Sequence, residues 1–476
     1  MRHLRAFPLS RLAGDATVMS PIEALRRMDG ELRPVLLDGA CDADGLGRYS
    51  YAACNPRARY VVDTVDPTAA LSHPSLDSSS WFGDGSQAQP VRAPCAPIWR
   101  DLQDRIASWH PWVGIGLLDY ELGRLAERLP SLAAACDVGT PALDFAAYDA
   151  LYRFDAQQQK ADLIAVDDDA AERLRAVLRR PPAPLPTLRC GQLKSDMSQA
   201  QHAAAVATIV DHLRAGDCYQ VNLCRWLRAP LAVDGALPAY LKLREVAPAP
   251  LGAFLRLDGD VASAHAPTVL SNSPELFLGI DFSIAQVQTR PIKGTRRRGL
   301  DADADHALRD ELLSSRKDAA EHVMIVDLLR NDLGRVAHPG SVHVDGFRRC
   351  VSLPTVHHLV STVKARLADG IGLGELLHAT FPGGSITGAP KVAAMRIIDA
   401  LEPRRRGPFY GALGWLSRDG GTLALCIRTA VAHQDQLVLA VGGGIVLDST
   451  PDDEWAETEA KAAAFSRALS LGMQQI

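Results

Sequence analysis

Long apolar runs are missing from this sequence: the longest near-apolar stretch, Leu437 to Leu447, has eleven residues, three of them glycine. A helix that spans a bilayer needs roughly 20 apolar residues, so no membrane partner is expected. The opening residues Met1-Arg2-His3-Leu4-Arg5-Ala6 lack the apolar core of a secretory signal. An excess of one charge is missing too. Lys and Arg number 51 against 56 Asp and Glu, a net charge of −5, so no global positive field would draw nucleic acid. The nine cysteines, at 41, 54, 95, 136, 190, 218, 224, 350 and 426, include no Cys-x-x-Cys pair. Their odd number in a long chain indicates neither a zinc ribbon nor a disulfide framework. A reduced cytoplasmic enzyme is expected.

What is present is ordinary globular material, 47% hydrophobic and 22% charged over 476 residues, enough to bury a large core and a deep pocket. The stiff segment Pro181 to Pro186 divides it into residues 1–180, where no catalytic signature stands, and 195–476, where punctuation is dense. The spacing predicts a helix from the Ser198/Gln201 capping box to Gly216. Strands are predicted at Cys218–Leu223, Ala253–Leu257, Thr422–Ala432 and Gln436–Val441. Further helices are predicted over about 304–334, 389–401 and 451–471. Without regular βαβ alternation the fold class is α+β. The runs Arg296 to Arg298 and Arg404 to Arg406 are expected to be mainly solvated surface.

Five segments could carry chemistry. In Pro291-Ile292-Lys293-Gly294-Thr295 a lysine sits in a tight, mostly apolar turn; desolvation favours the free amine, which is the nucleophile, although taken alone the segment fits an exposed loop lysine better. Glu275, after Ser273-Pro274 and before Leu276-Phe277, suits a general acid of raised pKa; a helix start capped by Ser273 fits as well. Glu321 heads an apolar helical face with Met324, Ile325 and Leu328, a costly place for a carboxylate unless it pairs with an arginine such as Arg330 or Arg335, or holds a cation. Glu454, Glu457 and Lys461 share one helical face behind Gly442-Gly443-Gly444, whose N–H groups at a strand end could meet an anion; a plain surface ion pair is the other reading. Phe381 to Lys391 is a Gly-rich turn into a helix, with Thr387 the expected cap, and offers an anion site or simply a tight turn. It departs from the nucleotide-binding G-x-x-x-x-G-K-[ST] loop.

With Cys218-Tyr219-Gln220-Val221-Asn222-Leu223, these motifs resemble the chorismate-utilising enzymes over about residues 195–476 in order, and more weakly over 1–180. The resemblance implies a two-domain antiparallel β-sandwich surrounded by helices. It implies Mg²⁺ on Glu321, Glu454 and Glu457, and a substrate shell of His358, Thr387, Tyr410, Arg428, Gly443, Gly444 and Lys461. Lys293 would be the nucleophile toward ring carbon 2 of chorismate and Glu275 the acid for the hydroxyl leaving carbon 4. Ammonia would then enter at carbon 4, giving 4-amino-4-deoxychorismate for folate and 4-aminobenzoate synthesis. Lysine at 293, where anthranilate-forming members carry alanine, points to this branch. Gln220, where water-using members carry a lysine base, argues against water as nucleophile. No His-x-Glu pair occurs, and Gly39-Ala40-Cys41-Asp42-Ala43 lacks the second glycine of a glutaminase elbow. Ammonia is therefore expected from a separate glutamine amidotransferase subunit or from solution. The stretches Leu36-Leu37-Asp38-Gly39 and Pro250-Leu251-Gly252 depart from the tryptophan-binding pattern of relatives, which argues against feedback inhibition by tryptophan. An anthranilate-forming enzyme and a non-catalytic chorismate-binding regulatory subunit remain the alternatives.

Overall fold

Neighbouring residues of one strand point into different hydrophobic layers, and this alternation organises the molecule. In a computed structural model, which describes residues 1, 4–9, 18–42, 44–65, 75–82, 91–94, 98–125, 129, 133–259, 262–263 and 265–471, Val35, Ala253, Leu255, Val269, Val431 and Val438 enter one core while Leu36, Phe254, Leu270, Ala430 and Leu439 enter another. The period of two along a strand produces this division. The first core lies between two antiparallel sheets of twelve strands each, the second between the first sheet and its helices. This is the α+β sandwich that the resemblance implies.

Each sheet draws strands from both sides of the Pro181–Pro186 segment. In the first, Val35–Asp38 pairs with Leu251–Arg256. In the second, Val113–Leu118 pairs with Ala412–Ser417. Helices Pro21–Met28, Asp168–Leu178, Ala236–Val246 and Pro451–Ser470 cover the outer face of the first sheet. Among the described residues no helix is long and apolar enough to cross a membrane.

Helix Gln199–Ala215 has the predicted box, with the Ser198 hydroxyl accepting from the Gln201 N–H at 3.3 Å and the Gln201 side chain accepting from the Ser198 N–H at 2.9 Å. Gly216 ends it at φ 83°. The predicted single helix over 304–334 is instead two, Ala302–Ser314 and Arg316–Gly334. Ser315 ends the first and caps the second by accepting from the Asp318 N–H at 3.2 Å, because a short hydroxyl competes with the helix ladder for backbone groups. The arginine runs also divide. Arg296 and Arg298 make ion pairs near the surface with Glu311, Asp318 and Asp305, as expected. Arg406 does not: it is 0% exposed, so the expectation of a solvated run fails at that residue.

Candidate active site

Twice, side by side, the chain passes from one sheet to the other. Thr268–Ser273 lies in the first sheet and Leu276–Asp281 in the second; Gly420–Leu425 lies in the second and Thr429–His433 in the first. The predicted strand Thr422–Ala432 is therefore two strands, and no helix follows Ser273. The register Ser271↔Thr429 and Leu276↔Ala424 holds the crossings together. So do bonds from the Asn272 N–H to the Arg428 carbonyl (2.9 Å) and from the Leu425 N–H to the Glu275 carbonyl (3.1 Å). Glu275 and Arg428 thus meet at the seam. Burial pushes the Glu275 carboxyl up to about 7, against the Ser385 hydroxyl donating at 2.6 Å and the charge of Lys293. Burial lowers the Arg428 guanidinium, with Glu275 opposing. Arg428 and Tyr410 hold φ of 49° and 65°, left-handed values that cost a non-glycine residue roughly 1–3 kcal/mol and cluster where function fixes the backbone.

Lys293 stands on the strand Ile292–Arg297, whose pairing with Val356–Arg366 slips between Ile292 and Thr295. Gly294 takes φ 81° in the irregularity, and a Cβ there would meet Leu312 at 2.9 Å. A bulge re-aims a side chain, and Lys293 Nζ ends up close to Gly444. The three glycines lie inside strand Gln436–Ile445 rather than past its end, paired with Asn222, Leu223 and Cys224. The strand runs beyond the predicted Val441, and beyond Leu439 it loses its partner on the other side, Thr429–His433. Their lack of side chains makes them a floor. A Cβ on Gly442 would stand 2.8 Å from the Tyr410 hydroxyl, on Gly443 2.8 Å from Glu454 Oε2 and 3.4 Å from Glu457 Oε1, and on Gly444 2.8 Å from Gln220 Nε2 and 3.2 Å from Lys293 Nζ. Gln220 is fully buried, with neither amide atom partnered among the described residues.

Helix Pro451–Ser470 brings Glu454, Glu457 and Lys461 over this floor. Lys461 Nζ donates to the Gly442 carbonyl at 2.7 Å and to Glu457 at 2.6 Å. Burial pushes Glu457 up, but Lys461, with Lys293 and Lys317 adding, outweighs it and the carboxyl is held low. Burial raises Glu454 to about 7 although the Ser449 hydroxyl donates to it, and nearby Glu457 adds to the rise. Glu321, on helix Arg316–Gly334, is raised chiefly by burial and also feels Lys293 and Glu457. Its suggested arginine partners are engaged elsewhere, Arg330 by Asp327 and Arg335 by the Ala379 carbonyl. Among the described residues no three such side chains already form a cage for a metal ion, and Glu457 instead pairs with Lys461. The donor set nevertheless suits a hard dication: all are carboxylates, and buried Glu454 Oε2 has no hydrogen-bond partner.

His358 is buried, its Nδ1 2.8 Å from the Thr295 hydroxyl and its Nε2 unpartnered among the described residues. Burial, with Arg428 adding, lowers it to about 3, so it serves as a neutral ring. Thr387 is not the expected helix cap. Gly388–Ala389 pairs with Gln220–Val221 before helix Lys391–Leu401 begins, capped by Pro390 without a side-chain bond. The Thr387 hydroxyl instead donates to the carbonyls of Gly383 (3.1 Å) and Gly384 (3.3 Å). Ser385, which grips Glu275, was missed in the sequence reading; it lies 110 residues from its partner, and nothing in the spacing joins them.

A family model for chorismate binding enzymes matches residues 49–467. The chain belongs to this family. Aminodeoxychorismate synthase component 1 of Salmonella typhimurium is 43% identical over 345 residues, 72% of this chain and 74% of that one. Anthranilate synthase component 1 of Thermus thermophilus is 39% identical over 394 residues, 80% and 83% of the two chains. The crystal structure of anthranilate synthase component I from Streptococcus pneumoniae superposes with a TM-score of 0.71 at 29% identity, covering 88% of this chain and 92% of that one. The chain also has a cavity of about 290 Å³ lined by Leu37, Asp38, Gly39, Pro250, Leu251 and Gly252. Its one central carboxylate, Asp38, is already taken by the Tyr240 hydroxyl (2.9 Å) and Arg244 (2.6 Å).

Proposed function

We propose that the protein is the chorismate-converting component of an aminodeoxychorismate synthase, forming 4-amino-4-deoxychorismate from chorismate and ammonia. The observation that carries this reading is the meeting of Lys293 Nζ, Gln220 and the glycine floor with a buried acid of pKa about 7 at Glu275. A covalent amine adduct needs a lysine in such a position. Lys293 as the free amine bonds to ring carbon 2, both ring double bonds shift around the ring to carbon 4, and Glu275 gives its proton to the hydroxyl leaving carbon 4 as water. Ammonia bonds to carbon 4 and returns a proton to Glu275, both double bonds shift back, and Lys293 departs with the electron pair of its bond to carbon 2. Arg428 and the Tyr410 hydroxyl hold the enolpyruvyl carboxylate beside the Gly443–Gly444 backbone. His358, Thr387 and Lys461 complete the shell. Glu321, Glu454 and Glu457 would hold Mg²⁺, which would supply an electron-withdrawing positive charge to the site and offset the glutamate charge facing the lysine. Ammonia would be supplied by a glutamine amidotransferase subunit or taken from solution, a reading supported by the component 1 naming of the relatives and by the lack of an elbow cysteine with a His-x-Glu pair in this sequence. The resemblance supports a part for this reaction in folate and 4-aminobenzoate synthesis.

Incubation with chorismate, Mg²⁺ and ammonium tests the branch: a 4-amino product with the enolpyruvyl group retained is expected, and release of pyruvate with a fluorescent anthranilate would defeat it. Mass spectrometry of protein trapped with chorismate but no ammonia should find the added mass on Lys293. The carboxylate set has its own test. Gly443→Ala thrusts a Cβ at Glu454 Oε2, the movable end of a side chain, so the melting temperature should barely move. The Mg²⁺ concentration for half-maximal rate should rise about tenfold or more.

A further inference from the structure

We infer that Arg406 is a positioning residue for the chorismate site, holding Tyr410, the Thr387 turn and the Gln220 strand in register with one another. The inference rests on the proposed reading of Tyr410 as a substrate contact. The Arg406 side chain is wholly enclosed. Its guanidinium carbon lies over two rings, 4.8 Å from the centroid of Tyr120 and 4.7 Å from that of Tyr410. Its edge is spent on three segments. Nη1 donates to the Ile386 carbonyl at 2.8 Å, one residue before Thr387 and one after Ser385, which grips Glu275. Nη2 donates to the Asn222 carbonyl at 2.8 Å, two residues beyond Gln220. Nε and Nη2 together take the Glu402 carboxylate at 2.9 and 2.6 Å, and Glu402 in turn accepts from the Cys224 N–H at 3.0 Å.

A fully buried ion pair is a weak source of stability compared with apolar packing, and two backbone carbonyls that need a donor could be served by other means. What a planar fork supplies is fixed angles. Three segments meet one rigid plane, and a ring that its central carbon lies over belongs to Tyr410, whose backbone is in the left-handed region at φ 65°. The Tyr410 N–H is bonded to the Cys426 carbonyl at 2.9 Å, which leaves its ring to be aimed by the guanidinium. Arg406 touches neither Lys293 nor any carboxylate of the acidic cluster, so it acts through Tyr410 and the turn.

Lysine at 406 keeps the charge but offers its donors from one point and cannot stack as a plane. The test is a double-mutant cycle of Arg406→Lys and Tyr410→Phe on the full chain, read as the dissociation constant for chorismate with Mg²⁺ present and, separately, as kcat and KM for chorismate loss. Arg406→Lys should weaken chorismate binding about tenfold in the Tyr410 protein and less than about threefold in the Tyr410→Phe background, since coupled sites are not additive. Equal losses in both backgrounds, or no loss in the first, would overturn the inference. A purely structural role predicts the equal losses together with a lowered melting temperature. If Arg406→Lys does not fold, the same cycle is run with Tyr120→Leu, which removes the far ring of the stack and should show the same background dependence. Absence of chorismate binding by the unaltered protein sinks the proposed function instead, and an anthranilate product changes the branch while leaving the cycle readable.

Discussion

Lys293→Ala should fold with its melting temperature unchanged within about 3 °C and lose at least about 10³-fold of its 4-amination rate. The side chain is half-buried on a strand at the edge of the second sheet; it faces Glu275, Glu321 and Glu457 rather than apolar packing, so its removal leaves no large void. The catalytic loss follows from the regiochemistry. Without an amine to occupy ring carbon 2, ammonia has no reason to be directed to carbon 4, and any residual turnover should place nitrogen at carbon 2. Chromatography of the products, beside a thermal melt, checks both halves. Turnover to the 4-amino product at the unaltered rate would remove the covalent route.

Glu275→Gln should lower the rate by about 10²–10⁴-fold, the range of a lost general acid, and abolish the high-pH limb of kcat/KM. The sign follows from the buried carboxyl, which sits at about 7 with burial as the chief cause. Below that pH the group is protonated and can donate; as pH rises through it the proton is lost and the rate falls. Ser385→Ala removes a hydrogen bond that favours the carboxylate, so the limb should move to higher pH with the acid retained. Glutamine cannot titrate and so flattens the limb. A pH–rate series on the three proteins decides it: an unchanged limb in Glu275→Gln would assign the proton to another group, with His358, already lowered to about 3, an unsuitable one.

Much of the site was visible along the chain because helical spacing is local. Glu454, Glu457 and Lys461 do share a face, and Glu321 shares one with buried Ile325. Both follow from 3.6 residues per turn. The errors came where tertiary context outranked local pattern. Thr422–Ala432 looks like one strand until Arg428, at φ 49°, turns the chain between sheets. Thr387 looks like a cap until Gly388–Ala389 is claimed by the Gln220 strand. The arginine run at 404–406 looks like surface until Glu402 and two carbonyls enclose Arg406.

Residue types and their order were enough to establish family and fold class and to nominate the candidate acid, nucleophile and carboxylates. Chemistry of that kind needs particular functional groups, and those are written in the chain. Which groups meet was decided only by folding. Ser385 reaches Glu275, Gln220 and Lys293 converge over Gly444, and Arg406 stacks on Tyr410 because two twelve-stranded sheets pack with their crossings aligned. Such contacts join residues remote in sequence, and local propensity carries no information about which remote strands will pair.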